Sequence, residues 1–325
     1  MAGTIFRKKV FVKDIKDSDS VNDVFIVKFR RSPERYKNGF MFDLRLEDSS
    51  DGITLRYFGG PDEKEANSLF ESIPKGSVVL IKATARVFNN MLSLNANSSD
   101  FFKVLSVGEF EPSDFVRVSK RSIPEMQGEL RSWIQSVSDG DIKVVLDRLF
   151  LRDADFFKEF SYSAAAIHKH HAWVGGLLEH SLNLVRLVLV VREIYPQLDR
   201  DYLIAGALLQ DIGKVREMKT GALVEVTVEG NLLGHIALGF HHLSRVMGEI
   251  GTPKEKTVKL AHLVLSHHVD KEYGSPKSPA FPEALVVALV DNLDAKAQEI
   301  IEARETARTD DDYVYTKDFG NVYLK

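Results

Sequence analysis

A chain of 325 residues, 44% hydrophobic and 28% charged, reads as a soluble globular protein of two domains, or of one large domain with an appendage. It has no cysteine, which excludes disulfides, thiolate zinc sites, iron–sulfur ligation and cysteine nucleophiles; a metal must use His, Asp, Glu or amide oxygen. The formal net charge of −4 argues against a uniformly basic nucleic-acid coat and leaves room for a local basic face. The N-terminal MAGTIFRKKVFVKD lacks the apolar run of a signal peptide. The most apolar stretches, around Leu182–Val191 and Ala284–Val290, are too short to span a membrane, so the expected location is the cytoplasm with no membrane partner.

Residues 1–105 are expected to be β-rich. Val24 to Phe29 suggests a first strand, and Phe40, Phe42, Leu44 and Leu46 alternate with Met41, Asp43 and Arg45 as a half-buried second. Asp48-Ser49-Ser50-Asp51-Gly52 signals a turn, after which Ile53, Leu55 and Tyr57 continue the alternation. Pro61 to Phe70 reads as a short helix, Val78 to Val87 as a fourth strand, Asn89-Asn90 as a tight turn, and Met91 to Ala96 as a fifth strand. Five short strands with a helix between the third and fourth is the order of a small Greek-key barrel, the OB-fold. The stretch from Asn38-Gly39-Phe40 to Leu46-Glu47-Asp48 resembles nucleic-acid-binding members of that fold.

Charge agrees. Residues 1–40 carry ten basic and five acidic side chains, a local balance of +5, interleaved with Phe29, Tyr36, Phe40 and Phe42. Cations neutralise phosphates while aromatic rings stack bases, so the candidate contacts are Lys28, Arg30, Arg31, Arg35, Tyr36, Lys37 and Phe40. A solvated barrel surface over core phenylalanines is the competing reading.

Gly108, Pro112 and Pro124 interrupt the pattern, and helical periodicity follows. The expected organisation is a binding domain at 1–105, a linker at 106–123 and a helical domain at 124–325 with its core at about 165–305. Met126 to Val137 and Ile142 to Leu149 read as two helices, followed by one over Asp153–Phe160. Segment 123–160 is a candidate interface for a homo-oligomer, which the sequence leaves open.

All ten histidines fall between His168 and His268. A helix from about Trp173 to Val191 places His180 on the apolar stripe of Trp173, Leu177, Leu184, Leu187 and Val191. A second, Leu203 to Lys214, turns Asp211 inward; a buried carboxylate calls for a cation, either a metal or Lys214. Gly234-His235 opens a third, with Leu238 and His242 on the His235 face. Leu260, Leu263 and Val264 lead to His267 and His268, and an apolar helix over Ala284–Val290 ends in Asp291-Asn292-Leu293-Asp294.

The order His180, Gln210-Asp211, His235, His267-His268, Asp291 resembles the HD superfamily of metal-dependent phosphohydrolases. The flanking HHAWVGGLLEHS, LIAGALLQDIGKV, LLGHI, HLVLSHH, GSPKSP and VDNLDAK resemble the YhaM-type 3′–5′ exoribonucleases, which couple an OB-fold to an HD domain, along essentially the whole chain. The resemblance implies a small β-barrel followed by an all-α HD domain that cleaves single-stranded RNA, or single-stranded DNA, with one or two Mn²⁺ or Mg²⁺ ions. It implies His180, Asp211 and Asp291 as ligands of one ion with Gln210 as a fourth, His235 and His267 as ligands of a second, and His268 as a ligand or substrate contact. Asp211, Lys214, His171 and His268 are the candidate catalytic residues, His171 on a leaving group or a phosphate. His170 is a weaker candidate for that role, and His168, His241 and His262 are expected in solvent or in packing. Glu179 and Asp294 are expected on helix surfaces or behind a ligand, and Lys277 of the GSPKSP loop reaches the nucleic-acid backbone or belongs to a plain connector.

Gln210 departs from the family pattern, which has histidine there. An amide oxygen ligates Mg²⁺ or Mn²⁺ but is a weaker donor than imidazole. Three outcomes stay open: Gln210 as a poorer ligand, metal only at Asp211, His235 and His267, or an empty site on a single-strand-binding protein. A hydrolase of small nucleotides is a further alternative, against which the barrel counts.

Overall fold

The N-terminal unit carries β1 (Ser20–Tyr36), β2 (Gly39–Glu47), β3 (Gly52–Phe58), helix α1 (Glu63–Ser72), β4 (Val78–Phe88), β5 (Met91–Ala96) and β6 (Phe102–Leu105). In this computed structural model the described residues are 5–88, 91–106, 108–111, 114–167, 171–221, 224–268, 274–307, 309 and 311–325. The Asn89-Asn90 turn, Pro112, His168 and His170 lie outside them. Two compact units result, one ending at Arg117 and the other beginning at Val118.

β1 is much longer than the expected strand because it serves two neighbours. Ser20–Ile26 pairs with β4, and Ile26–Tyr36 pairs with β2. Bulges between Val27 and Phe29 and between Arg31 and Glu34 let it bend. β2 pairs with β3, β3 runs parallel to β5, and β5 pairs with β4, so the ring β1-β2-β3-β5-β4-β1 closes. With α1 between β3 and β4, this is an OB-fold. Phe25, Val27, Phe42, Leu44, Leu46, Leu55, Ile81 and Leu94 fill its interior, with Phe70 of α1 and the following Ile73. β6, which the alternation did not reveal, adds to β4. Phe110 and Phe115, in the stretch expected to connect the domains, pack with Val24, Ile26, Val78 and Leu105.

A buried ion pair pins the barrel's N-terminal arm. Lys8 Nζ lies 3.1 Å from Asp48 Oδ2, with both side chains at 0% exposure. The ammonium donates to the Val24 carbonyl and sits over the Phe25 ring. Asp48 also accepts from the backbone N–H groups of Val12 and Ser50, which ties the arm to the β2–β3 turn.

The second unit contains α2 (Ile123–Gln135), α3 (Gly140–Leu146), α4 (Ala154–Tyr162), α5 (Gly176–Ile194), α6 (Arg200–Leu209), α7 (Lys214–Glu217), α8 (Val228–Glu249), α9 (Lys254–Leu265) and α10 (Pro282–Thr306). Two short hairpins, β7 (Met218–Thr220) with β8 (Val224–Val226) and β9 (Tyr313–Thr316) with β10 (Gly320–Tyr323), accompany the helices. α6 and the first half of α5 are buried, packed on each other and on α10, which is why α6 is apolar almost all round. Among the described residues no helix is long and apolar enough to cross a membrane.

Removing one partner of a buried pair strands the other charge. Lys8→Ala is expected to destabilise the barrel by about 3–5 kcal/mol, read as a lower midpoint in its denaturant transition, with the helical unit's transition unmoved.

Candidate metal centre

The expected helix over Leu203–Lys214 is not continuous. α6 stops at Leu209, and Gln210 to Gly213 form a turn before α7. Packing explains the stop: a Cβ at Gly213 would lie 1.9 Å from the His235 carbonyl oxygen, so only glycine lets this turn press against α8. Asp211 and Lys214 therefore face each other across a turn rather than along a helix face, with Lys214 Nζ 2.9 Å from Asp211 Oδ2. α8 is itself broken at Gly234, whose φ of 72° leaves the helix and starts a new helical segment at His235.

Five segments meet here: α5 with His180, the turn after α6 with Gln210 and Asp211, the α8 break with His235, the end of α9 with His267 and His268, and α10 with Asp291 and Asp294. Two groups of side chains share Asp211. In the first, His180 Nε2 is 3.0 Å from Asp291 Oδ1 and 3.5 Å from Asp211 Oδ2. Gln210 Nε2 donates to Asp291 Oδ1 at 2.9 Å and lies 3.3 Å from His180 Nε2. In the second, His235, His267 and His268 each offer a ring nitrogen, all within 4.8 Å of one another. Asp211 Oδ1 is 3.7 Å from His235 Nε2 and 3.6 Å from His267 Nε2.

The rings of the second group are oriented from behind. Nδ1 of His235 is bonded to Glu217 Oε1, which also accepts the His235 backbone N–H. Nδ1–H of His267 donates to the Val264 carbonyl, leaving its Nε2 lone pair toward Asp211. The His268 backbone N–H donates to Ser275 Oγ. Such outer hydrogen bonds are what fix the tautomers of metal-binding histidines.

Electrostatics divides the groups. Burial opposes ionisation of Asp211, but Lys214, the His180 hydrogen bond and the nearby rings outweigh it and hold the carboxyl well below the usual range. Burial likewise opposes a charged His180, yet Asp211, Asp291 and Asp294 keep its ring protonated well above the ordinary histidine range. His267 goes the other way: burial pulls it down to about 4 against the attraction of Asp211, and burial also lowers His268.

A divalent ion fits this donor set. Gln210 Oε1, Asp211 Oδ1 and His267 Nε2 are buried acceptors without hydrogen-bond partners. A buried carboxylate oxygen facing unprotonated imidazole edges is stable when a cation lies between them.

The remaining candidates are placed as follows. His171 is buried with its Nε2 at 2.9 Å from Asp294 Oδ2, which also takes His180 Nδ1 at 2.7 Å. Glu179 accepts from Trp173 Nε1. His242 stacks on Phe156, away from His235, and His262 Nε2 accepts from Ala280 N–H. Lys277 is exposed, while neighbouring Ser275 is the buried partner of His268. On the barrel, Arg31, Arg35 and Lys37 are exposed and Phe40 is half-buried. Tyr36 donates to the Gly59 carbonyl and packs edge-on against Phe58. Lys28 pairs with Glu47. Arg30 donates to the carbonyls of Phe70 and Ile73 and lies over the Phe70 ring, which makes it a brace for the end of α1. Phe42 is core, whereas Phe29 is 62% exposed.

Glu217 and Ser275 escaped the sequence reading, whereas Asp294 stands behind His180, one of the two places expected for it, and also holds His171. Asp294 had a signal: three residues after Asp291 on one helix, it shares that face. Glu217 had none, because its link to His235 depends on the turn after α6.

A family model for the HD domain matches residues 177–296. The chain is similar to the 3′-5′ exoribonuclease YhaM of Bacillus licheniformis, 36% identical over 268 residues, 82% of this chain and 81% of the relative. It is also similar to the 3′-5′ exoribonuclease YhaM of Halalkalibacterium halodurans, 29% identical over 287 residues, 88% and 87% of the two chains. The solution NMR structure of the OB domain of Ta0387 from Thermoplasma acidophilum covers 30% of this chain and 85% of its own, at 20% identity and a TM-score of 0.23.

Glu217 orients His235 without standing among the converging nitrogens. Glu217→Gln is expected to weaken Mn²⁺ binding by about 10–100-fold, measured by calorimetric titration of the metal-stripped protein.

Proposed function

The chain belongs to the YhaM family of 3′–5′ exoribonucleases, and from that premise we propose that it is a divalent-metal-dependent 3′–5′ exonuclease of single-stranded RNA, with single-stranded DNA as a further substrate. The observation that carries this reading is Asp211, a buried carboxylate whose Oδ1 lacks a hydrogen-bond partner and faces the Nε2 edges of His235 and His267. A bound Mg²⁺ or Mn²⁺ supplies Lewis-acid activation of water and charge beside the phosphate. Two groups of side chains meet Asp211: His235, His267 and His268 on one side, and His180 with Asp291, to which the Gln210 amide donates, on the other.

The chain's own side chains do the rest. Lys214 holds a positive charge against Asp211 and offsets charge on phosphoryl oxygens. His171 is a positioning residue, holding Asp294 behind His180. His268 is a ligand or, with its ring partly exposed, a substrate contact.

Residues 1–105 form the binding domain and 124–325 the cutting domain in this reading. Phe29, Arg31, Arg35, Tyr36, Lys37 and Phe40 supply exposed cations and ring surface for a strand, a combination that binds with weak sequence preference. Lys28 contributes charge shared with Glu47, and Lys277 is an exposed cation for the backbone. Arg30 is left out, since its guanidinium braces α1. A polymer substrate is favoured over a small nucleotide because the latter needs no strand-holding barrel. An RNA substrate and a cysteine-free chain suit a cytoplasmic enzyme.

The test is a time course on 5′-labelled single-stranded RNA. A ladder shortening from the 3′ end with Mn²⁺ and stopping with EDTA is expected, and Asp211→Asn should slow it by about 100-fold or more. Metal-independent cleavage, or binding without cleavage at any metal tested, would contradict the reading.

A further inference from the structure

Gln210 stands where the family pattern that the sequence resembles has histidine, and its surroundings show how an amide sits there. The side-chain amide meets the first donor set through its NH₂ end: Nε2 donates to Asp291 Oδ1 at 2.9 Å and stands 3.3 Å from His180 Nε2. His180 Nε2 is itself 3.0 Å from the same Asp291 oxygen. The Gln210 amide N–H and a ring nitrogen of His180 thus both meet Asp291 Oδ1, the oxygen a cation would need. His180 is committed on its other side as well, where Nδ1 bonds Asp294 Oδ2 at 2.7 Å. The other end of the amide, Oε1, has no hydrogen-bond partner, but as an amide oxygen it is a weaker donor than the imidazole nitrogens of the second set.

The second set presents imidazole nitrogens to the other Asp211 oxygen. His235 and His267 have their Nδ1 atoms tied to Glu217 and the Val264 carbonyl. Asp211 Oδ1 and His267 Nε2 have no hydrogen-bond partner. His235 Nε2 and His268 Nε2 approach to 3.3 Å. Three imidazoles beside a carboxylate oxygen are a stronger donor set for a divalent ion than one that relies on an amide.

We propose that Gln210 closes the His180–Asp291 half of the centre with hydrogen bonds, so that the chain holds one divalent ion, at Asp211, His235, His267 and His268, in place of two. His180, Gln210, Asp291 and Asp294 then act as a rigid polar wall behind Asp211. This deepens the metal-dependent reading above and rests on it, but it is tested by counting ions rather than by activity.

The experiment is equilibrium dialysis of the intact chain against Mn²⁺, with bound metal measured by plasma mass spectrometry. Wild type, Gln210→His, Gln210→Leu and the double variant His235→Ala/His267→Ala are compared, with melting curves to show that each is folded. The expected occupancies are one ion for wild type, two for Gln210→His, one for Gln210→Leu at an affinity within about threefold of wild type, and none for the double variant. Two ions in wild type, or a tenfold loss of affinity in Gln210→Leu, would make Gln210 a ligand and overturn the inference. So would an ion retained by the double variant, a result that needs no substitution at Gln210. An absence of bound metal from all folded chains would instead remove the metal-dependent reading itself.

Discussion

A carboxylate with 1% exposure sets the terms for the helical unit. An isolated charge at such a position would cost several kcal/mol in lost hydration. The fold surrounds Asp211 with compensation: Lys214 across a tight turn, His180 from α5, and the rings of His235 and His267 from two other segments. Each compensating group needs its own support. Glu217 steadies His235, a backbone carbonyl steadies His267, and Asp294 ties His180 to His171. The glycine at 213 matters for the same reason, because it brings the Asp211 turn against the break in α8.

That dependence explains what could be read in the sequence. His180 was visible because it interrupts a helical apolar stripe, and Asp211 because a carboxylate follows apolar residues by three and four positions. The barrel was visible because Phe42, Leu44, Leu46, Ile53, Leu55 and Tyr57 alternate, and those side chains are its core. The bent double pairing of β1 was not visible, since bulges break the alternation that would reveal it. Nor was the end of α6 at Leu209, since burial runs unbroken from Leu203 to Ile212, through the polar pair Gln210 and Asp211. Arg30 shows the limit of composition: it counts as a basic residue in a basic stretch, yet its hydrogen bonds go to the end of α1.

The two units handle buried charge differently. In the barrel, Lys8 and Asp48 neutralise each other, and their remaining bonds go to backbone groups and the Ser50 hydroxyl, so the pair is structural and self-contained. In the helical unit, compensation is incomplete: acceptor atoms of Gln210, Asp211 and His267 remain without hydrogen-bond partners. The open oxygen of Asp211 and the open His267 nitrogen 3.6 Å from it point to a ligand between them, and the imidazole–carboxylate chemistry points to a divalent ion.

The most direct measurement of this account is anomalous diffraction at the manganese edge from crystals of the intact chain grown with Mn²⁺. The account predicts a single peak bounded by Asp211, His235, His267 and His268. A peak bounded by His180 and Asp291, or crystals with no peak at Asp211 at saturating Mn²⁺, would contradict it.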